Sequence, residues 1–436
     1  MKIDLSIFMS CKAGFLLTIS LFGQQEVIAY YLDGCKRMSC FLFKNEEFMK
    51  EISYKELMEL SKDSYILVDT RNEGSLKYGM IPGAVSITHE LFETDLEGVC
   101  KRLDKSKQII LYCTRGVISV DDAGILSEQG FDAVSLKGGY NSYLSAMMEA
   151  QDNEAEEELN EKTAEIEKSI RKKFHKTLFS PFARACKQYE LIKEGDHIAV
   201  CISGGKDSML MAKLFQEIKR HQKVNFDLTF LVMDPGYSEV NRKLIESNAK
   251  LMGIPIVVYE SDIFDAVDTV DKNPCYLCAR MRRGHLYSKA KELGCNKIAL
   301  GHHYDDVIET ILMGMLYGAQ IQTMMPKLHS TNFEGMELIR PLYLIRQDDI
   351  IAWQRYNGLH FLQCACHFTE TCDSCSVDGT SASKRLETRN LIAELKKVNP
   401  YVESNIFRSV ENVNLATVIA YKQDGVKHHF LDDYDN

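Results

Sequence analysis

His197-Ile-Ala-Val-Cys-Ile202, then Ser203-Gly-Gly-Lys-Asp-Ser208, then the amphipathic run Met209 to Ile218 read in order as strand, glycine-rich turn and helix. Adjacent glycines let the chain turn tightly, so successive N–H groups and the helix N-terminus converge on one point, where phosphate oxygens would be held. The spacing is not that of a Walker A loop, which needs G-x-x-x-x-G-K-[ST]; here the glycines are adjacent, and an acid and a serine follow the lysine. Outward from this loop, Phe230-Leu-Val-Met-Asp234 is a strand ending in an acid. Glu239 to Met252 is a helix, Ile254 to Tyr259 a third strand and Lys297 to Leu300 a fourth, which runs into Gly301-His-His-Tyr-Asp-Asp306 with Glu309 one turn on. Strands alternating with helices at this spacing predict a doubly wound parallel sheet, whose ligands bind at the carboxyl ends of the strands. Ser203, Gly204, Gly205, Lys206, Asp207, Ser208 and Asp234 fall at such ends, as do His302, Asp305 and Asp306. Carboxylates placed there suit a Mg²⁺ that bridges bound phosphate oxygens. The blander reading is that Asp305 and Asp306 cap the following helix, and one of them can do so while the other binds metal.

At 436 residues the chain exceeds one ordinary core and predicts two or three domains. The formal net charge of −10 is unevenly spread: residues 1–170 carry 18 Lys+Arg against 29 Asp+Glu, whereas residues 171–436 carry 34 against 33. The acidity belongs to the front half, and the back half is free to form local basic patches. The apolar run Gly14 to Phe22 is too short to span a bilayer, and Asp4 stands where a signal peptide is basic, so a cytoplasmic protein with no membrane partner is expected. Fourteen cysteines in such a chain argue for metal or redox chemistry rather than disulfides. Cys275-x-x-Cys278 and Cys372-x-x-Cys375 are the informative pairs, with Cys113 alone inside a loop; Cys186, Cys201 and Cys295 read as small buried hydrophobes. Two C-x-x-C pairs so far apart suit a structural zinc, and an iron–sulfur cluster is the rival because it also selects thiolates and can use fewer than four protein ligands.

Residues 1–50 carry no motif and are either an extension or an over-extended start with the true beginning near Met49, regular structure being expected from about Tyr54. Tyr65-Ile-Leu-Val-Asp69, Ile109-Ile-Leu-Tyr-Cys113 and Ala133-Val-Ser-Leu136 read as strands, with helical stretches such as Ser119 to Gln129 between them. That is a small α/β domain with a parallel sheet, over 51–149. Asp152 to Glu167 is mostly acidic and Arg171-Lys-Lys173 with Lys176 follows, which predicts a charged helical linker over 150–175, its charges ordered as the helix dipole prefers. Its outer face reads as solvated, and its basic end could meet nucleic-acid phosphates. The catalytic domain is expected over 176–436.

Three pieces of the front domain resemble the rhodanese family: Val68-Asp-Thr-Arg71 with Gly79-Met-Ile-Pro-Gly-Ala84, Tyr112-Cys-Thr-Arg-Gly-Val-Ile-Ser119, and Gly130 to Gly139. In that family a loop of N–H groups surrounds a cysteine sulfur and stabilises a persulfide, and Cys113 holds that position. Ile118 stands where an arginine is often found and Met80 where histidine is common, which favours a protein persulfide over thiosulfate as donor. The S-G-G-x-D-S order resembles the pyrophosphate loop of N-type ATP pyrophosphatases. Together with Cys275-x-x-Cys278-x-Arg-x-Arg-Arg-Gly284, Gly301-His-His-x-Asp-Asp-x-x-Glu-Thr310, Arg340-Pro-Leu342 and Asn405-Ile-Phe-Arg-Ser409, it resembles the tRNA 2-thiocytidine synthetase family over nearly all of residues 176–415.

The resemblance implies ATP and Mg²⁺, the latter near Asp207. It implies a [4Fe–4S] cluster on Cys275, Cys278 and Cys375, with Cys372 as the alternative third ligand and Cys364 and Cys366 nearby. It implies tRNA as substrate, at position 32 of the anticodon loop, with Cys113 relaying sulfur from a cysteine desulfurase or other persulfide donor. Arg280, Arg282 and Arg283 are expected to meet RNA phosphates, and a second copy of the chain is expected as a partner. Two alternatives stand beside this reading: a related thiolase acting on 2-thiouridine sites or another target, and a zinc-bound persulfide-trafficking or redox-sensing module.

Overall fold

The computed structural model describes residues 51–76, 79–152, 156–261, 263, 274–362, 382–432 and 434, together with four strands before residue 50. The chain forms two compact units, one of Met1–Glu73 with Met80–Tyr143 and one of Gly74–Gly79 with Leu144–Asn436.

The first unit holds two sheets. Strands β1 (Asp4–Phe8), β2 (Leu16–Ser20), β3 (Val27–Leu32) and β4 (Met38–Phe43) form an antiparallel meander in sequential order. Regular structure therefore begins well before Tyr54, contrary to the expectation. The signal was a local one: Val27-Ile-Ala-Tyr-Tyr-Leu32 is dense in β-branched and aromatic residues, and Gly23 and Asp33-Gly34 are turn residues on either side. The second sheet is wholly parallel. Its strands β5 (Glu51–Ile52), β6 (Tyr65–Asp69), β7 (Val85–Ser86), β8 (Gln108–Tyr112) and β9 (Ala133–Leu136) lie in the order β5-β9-β8-β6-β7. Val68, Ile87, Phe92, Val99, Ile109, Leu111 and Leu126 close one side of it into a core. A parallel sheet covered by helices requires strands that are apolar on both faces, and Ile109 to Tyr112 are all fully buried.

The second unit is built on a six-stranded sheet. Its strands β10 (His197–Ile202), β11 (Asp227–Asp234), β12 (Ile256–Glu260), β13 (Lys297–Ala299), β14 (Lys327–His329) and β15 (Glu337–Ile339) run in the order β12-β11-β10-β13-β15-β14. All neighbours are parallel except β14 against β15. The chain builds outward from β10 through β11 to β12, then returns to the other side of β10 with β13. The crevice at that reversal, at the carboxyl ends of β10 and β13, is where such sheets bind ligands. Cys201 and Cys295 pack with Ala199, Leu231, Tyr287, Ile298 and Leu338 in the core below it, and Cys186 is likewise buried, the small hydrophobes they were read as.

The acidic segment after the first unit is a helix over Glu156–Arg171, with acids in its first turn and bases in its last. It is not solvated all round. Leu159, Ile166 and Ile170 are buried, Glu167 accepts from the Lys213 ammonium at 2.9 Å, and the Thr163 hydroxyl donates to the Leu251 carbonyl at 2.7 Å. The sequence could not show this, because the contacts that bury one side of the helix come from residues 46 to 88 positions away. No helix among the described residues is long and apolar enough to cross a membrane.

Candidate active sites

β10 ends at Ile202, and the next six residues form the turn that the sequence singled out. The Ser203 N–H donates to Ser208 Oγ at 3.2 Å, and that hydroxyl donates to the Gly205 carbonyl at 2.9 Å, closing the loop on itself. Gly204 has φ +79°, and a Cβ there would lie 2.5 Å from Ile245 Cγ1 and 2.9 Å from Leu362 Cδ1, so backbone conformation and space both demand glycine. Gly205, in extended conformation, precedes a helix over Lys206–Arg220. The helix thus starts three residues before the expected Met209, and Lys206, Asp207 and Ser208 are its first turn. The N–H groups of that turn have no intrahelical acceptors, and glycine at the cap supplies no side-chain acceptor either. Lys206 is only 3% exposed and its ammonium donates to Asp207 Oδ2 at 2.9 Å, while Asp207 Oδ1 is buried without a hydrogen-bond partner among the described residues. Gly301, just past β13, abuts this turn: a Cβ on it would sit 3.3 Å from the Ser208 nitrogen.

The other predicted polar residues divide by what already engages them. Asp234, at the end of β11, accepts from the Gly236 and Tyr237 N–H groups at 2.9 and 2.7 Å and from Arg242 at 2.6 Å, so it shapes its own loop. Burial would raise its pKa, but the Tyr237 N–H and Arg242 outweigh that and hold the carboxyl below the ordinary value. Asp305 is taken up by Arg346, at 2.9 Å, and by the Gln347 N–H, at 2.7 Å; the same guanidinium donates to Glu403 at 2.6 Å. Asp306 caps the helix Tyr304–Gly318 by accepting from the His303 N–H at 3.0 Å, and also accepts from Arg385 at 3.2 Å. Burial pushes Asp306 up, whereas His303, His302 and Arg385 pull it below its usual value. Capping, the blander of the two readings, thus describes the position of Asp306, and an ion-pair network that of Asp305.

His302 is different. Burial first and the Arg340 charge second push its pKa down to about 4, so it is neutral near pH 7, and its Nδ1 is buried without a partner among the described residues. Arg340 follows β15 directly. It is 8% exposed, its Nη1 donates to the Met325 carbonyl, its Nε has no partner among the described residues, and burial together with the Arg283 charge pushes its pKa down to about 10. Arg340 was quoted in a motif but given no role. Arg346, Arg385 and Arg389 were missed altogether, because their acidic partners lie 41 to 80 residues away and no local pattern announces them.

Cys275 and Cys278 occupy the first turn of a helix over Pro274–Glu292, three residues apart and so on one face. Arg280 and Arg283 of the same helix are exposed, which agrees with the basic patch read beside the pair. Cys364, Cys366, Cys372 and Cys375 lie outside the described residues. Of the basic segment 171–176, Arg171 is paired with Glu217 at 3.2 Å and the Lys173 ammonium sits 3.7 Å from the centre of the Tyr356 ring.

In the first unit, Cys113 follows β8 and is 6% exposed. Its sulfur accepts from the Gly116 N–H at 3.1 Å and faces the Ser119 hydroxyl at 3.6 Å, which is 2.9 Å from the Ser135 hydroxyl. Gly116, at φ +82°, must be glycine, since a Cβ would lie 2.7 Å from the Leu136 carbonyl oxygen. Below the loop a buried network fixes its base: Tyr112 OH donates to Asp69 at 2.8 Å, Arg71 donates to both Asp69 oxygens, and the Arg71 guanidinium stacks 3.9 Å over the Tyr140 ring. Ile118, in place of a charged residue, begins the helix Ile118–Glu128. The arrangement can carry a sulfur atom on Cys113 within a ring of donors.

A cavity of about 850 Å³ lies elsewhere, at the amino-terminal end of β11, lined by Lys219, Arg220, Asn225, Leu228 and Gly253. Its charges are already paired, Arg220 with Glu167 and Lys219 with Asp227, which sets it apart from the crevice above.

The PP-loop domain family matches residues 167–366, and the rhodanese-like domain family matches residues 53–146. The chain is 34% identical over 242 residues to the tRNA-cytidine(32) 2-sulfurtransferase of Geobacter sulfurreducens, covering 55% of this chain and 90% of that one. It is 32% identical over 243 residues to the protein of the same name from Geotalea daltonii, covering 55% and 92%. A solved U34-tRNA thiolase of Methanococcus maripaludis with its [4Fe-4S] cluster aligns at 22% identity and a TM-score of 0.42, covering 53% of this chain and 76% of that one.

Proposed function

The chain belongs to the tRNA-cytidine(32) 2-sulfurtransferase family, and from that membership we propose that it is an ATP-dependent tRNA sulfurtransferase that replaces the C2 oxygen of cytosine 32 with sulfur. The observation that carries the reading in this chain is the uncapped first turn Lys206–Ser208 at the reversal point of the sheet, with Asp207 Oδ1 buried and unpartnered. The N-terminus of that helix and Lys206 suit the phosphates of ATP, and Asp207 Oδ1, without a partner among the described residues, suits a Mg²⁺ bridging them. The C2 oxygen forms a bond to the α-phosphorus, pyrophosphate departs with the electron pair of the broken P–O bond, and the oxygen becomes part of an AMP leaving group. Sulfur at the oxidation level of sulfide then adds at C2 and AMP leaves.

Cysteines three apart at the start of a helix share the spacing of one helix face, and thiolates are a donor set suited to soft metal. In this reading Cys275, Cys278 and Cys375, or Cys372 in its place, would hold a [4Fe–4S] cluster, which when bound would supply a place for inorganic sulfur. Arg280, Arg282 and Arg283 meet RNA phosphates while an unstacked loop base enters the crevice. Cys113 takes a sulfane sulfur from a cysteine desulfurase or other persulfide donor as its own persulfide and passes it on within the same polypeptide, and a thiol reductant supplies the two electrons that bring that sulfur to the sulfide level and leaves as a disulfide; the Gly116 N–H and the Ser119 hydroxyl at the Cys113 sulfur support that role.

Nucleoside mass spectrometry of tRNA from cells with and without this protein tests the reading. Loss of 2-thiocytidine alone, restored by the intact protein but not by Cys275→Ala, is the expected result. A fall in 2-thiouridine with 2-thiocytidine unchanged overturns the base assignment.

A further inference from the structure

Arg340 is a buried guanidinium whose Nη1 is held by the Met325 carbonyl and whose Nε has no partner among the described residues, and only 8% of the residue is exposed. Leaving a charged donor unsatisfied in a protein interior is costly, so a site built this way is built for an acceptor that arrives. Three features say what that acceptor is. Arg340 directly follows β15, and β10, β13 and β15 are successive neighbours in the sheet, which places its backbone about 10 Å from the pyrophosphate loop, on the same carboxyl edge. His302, on the intervening strand's loop, also presents a buried nitrogen without a partner among the described residues and is an electrostatic neighbour of Arg340. Arg340 is also within electrostatic range of Arg283, which belongs to the helix carrying Cys275 and Cys278. An anion at Arg340 therefore lies on the sheet edge that carries the phosphate loop and within electrostatic range of the cysteine helix.

We propose that Arg340 is a catalytic residue of the adenylation step, its Nε–H donating to an α-phosphoryl oxygen of ATP, with His302 beside it. The proposal rests on the ATP-dependent reading above. The β and γ phosphates belong to the uncapped helix turn after β10, whereas the α-phosphate must face the base and, after it, the sulfur. A donor on that edge, within electrostatic range of the cysteine helix, is placed to neutralise charge building on the α-phosphoryl group as the C2 oxygen attacks and pyrophosphate leaves. The same contact persists to AMP and is absent from pyrophosphate.

That asymmetry gives the test. Equilibrium binding of AMP and of inorganic pyrophosphate is measured on the full-length protein and on Arg340→Gln. The expected result is that AMP binding weakens roughly 10- to 100-fold, the value of one charge-assisted hydrogen bond, while pyrophosphate binding stays within about twofold. Unchanged AMP affinity overturns the proposal, and so does an equal loss of both probes, which is what a purely structural link to Met325 predicts. If the unsubstituted protein binds neither probe, the ATP-dependent reading itself fails. Should Arg340→Gln not fold, a structure of the unsubstituted protein with AMP decides: a phosphate oxygen within about 3 Å of Arg340 Nε supports the assignment, and one placed elsewhere ends it.

Discussion

The two units of this protein are finished to different degrees. Around Cys113 the described polar groups find each other: Gly116 N–H and Ser119 address the sulfur, Ser135 addresses Ser119, and Asp69, Arg71 and Tyr112 lock the strand ends beneath. At the carboxyl edge of β10, β13 and β15, Asp207 Oδ1, His302 Nδ1 and Arg340 Nε are buried and have no partner among the described residues. Buried polar groups are ordinarily satisfied, so the contrast separates two kinds of site. A loop whose cargo is covalently attached to its own cysteine needs donors only for that sulfur and can be complete without a ligand. A crevice that binds a triphosphate must leave acceptors and donors free until the ligand supplies their partners.

The contrast can be broken most forcefully at Cys113. If the first unit only relays sulfur, Cys113→Ser slows transfer from a protein persulfide donor by at least about 100-fold, because the nucleophile itself is gone. Adenylation of tRNA, read as pyrophosphate released in a single turnover, stays at the level of the unsubstituted protein, and free sulfide bypasses the defect. An unaffected rate with the persulfide donor removes the relay. At the other site, Gly204→Ala sharpens the comparison. The new Cβ meets Ile245 and Leu362 in a left-handed backbone conformation, which is expected to destabilise the second unit by roughly 2–4 kcal/mol in denaturant unfolding and to weaken ATP binding. A fully stable variant with normal ATP affinity contradicts the tight-turn account.

The smallest expected effect is on pH dependence. His302 faces Arg340, Arg385, His303 and Asp306, and in the folded state its pKa falls to about 4 from the ordinary 6.5. Between those values the unfolded chain binds more protons, so stability from this residue is present above about pH 6.5 and is lost as pH falls toward 4. His302→Gln should flatten that part of the stability profile by about 1–3 kcal/mol, measured as the change in unfolding free energy between pH 6.5 and 4. An unaltered slope places the titration elsewhere.

The strands of the parallel sheets were legible because each is a short apolar run with a turn residue beside it, and β6, β8, β9, β10 and β11 lie within a few residues of where the pattern puts them. The glycine-rich turn was legible because only glycine meets its backbone demands. The meander before residue 50 was overlooked for want of a motif, although its β-branched content was on view. The acid at each strand end was legible as a position but not as a role. Asp305 and Asp306 look alike in sequence, yet Arg346 takes one and the His303 N–H and Arg385 take the other.

The amino-acid sequence by itself determined the local devices: the paired glycines that aim N–H groups at one point, the C-x-x-C spacing that puts two cysteines on one helix face, and the loop that wraps Cys113. These depend on backbone conformation over a handful of residues. Only the tertiary structure decided which charged groups remain open for chemistry. Whether a carboxylate or guanidinium is free depends on partners brought in from 40 to 80 residues away, as with Arg346 on Asp305 and Arg389 on Glu309, and on burial that leaves Asp207 Oδ1, His302 Nδ1 and Arg340 Nε without one among the described residues.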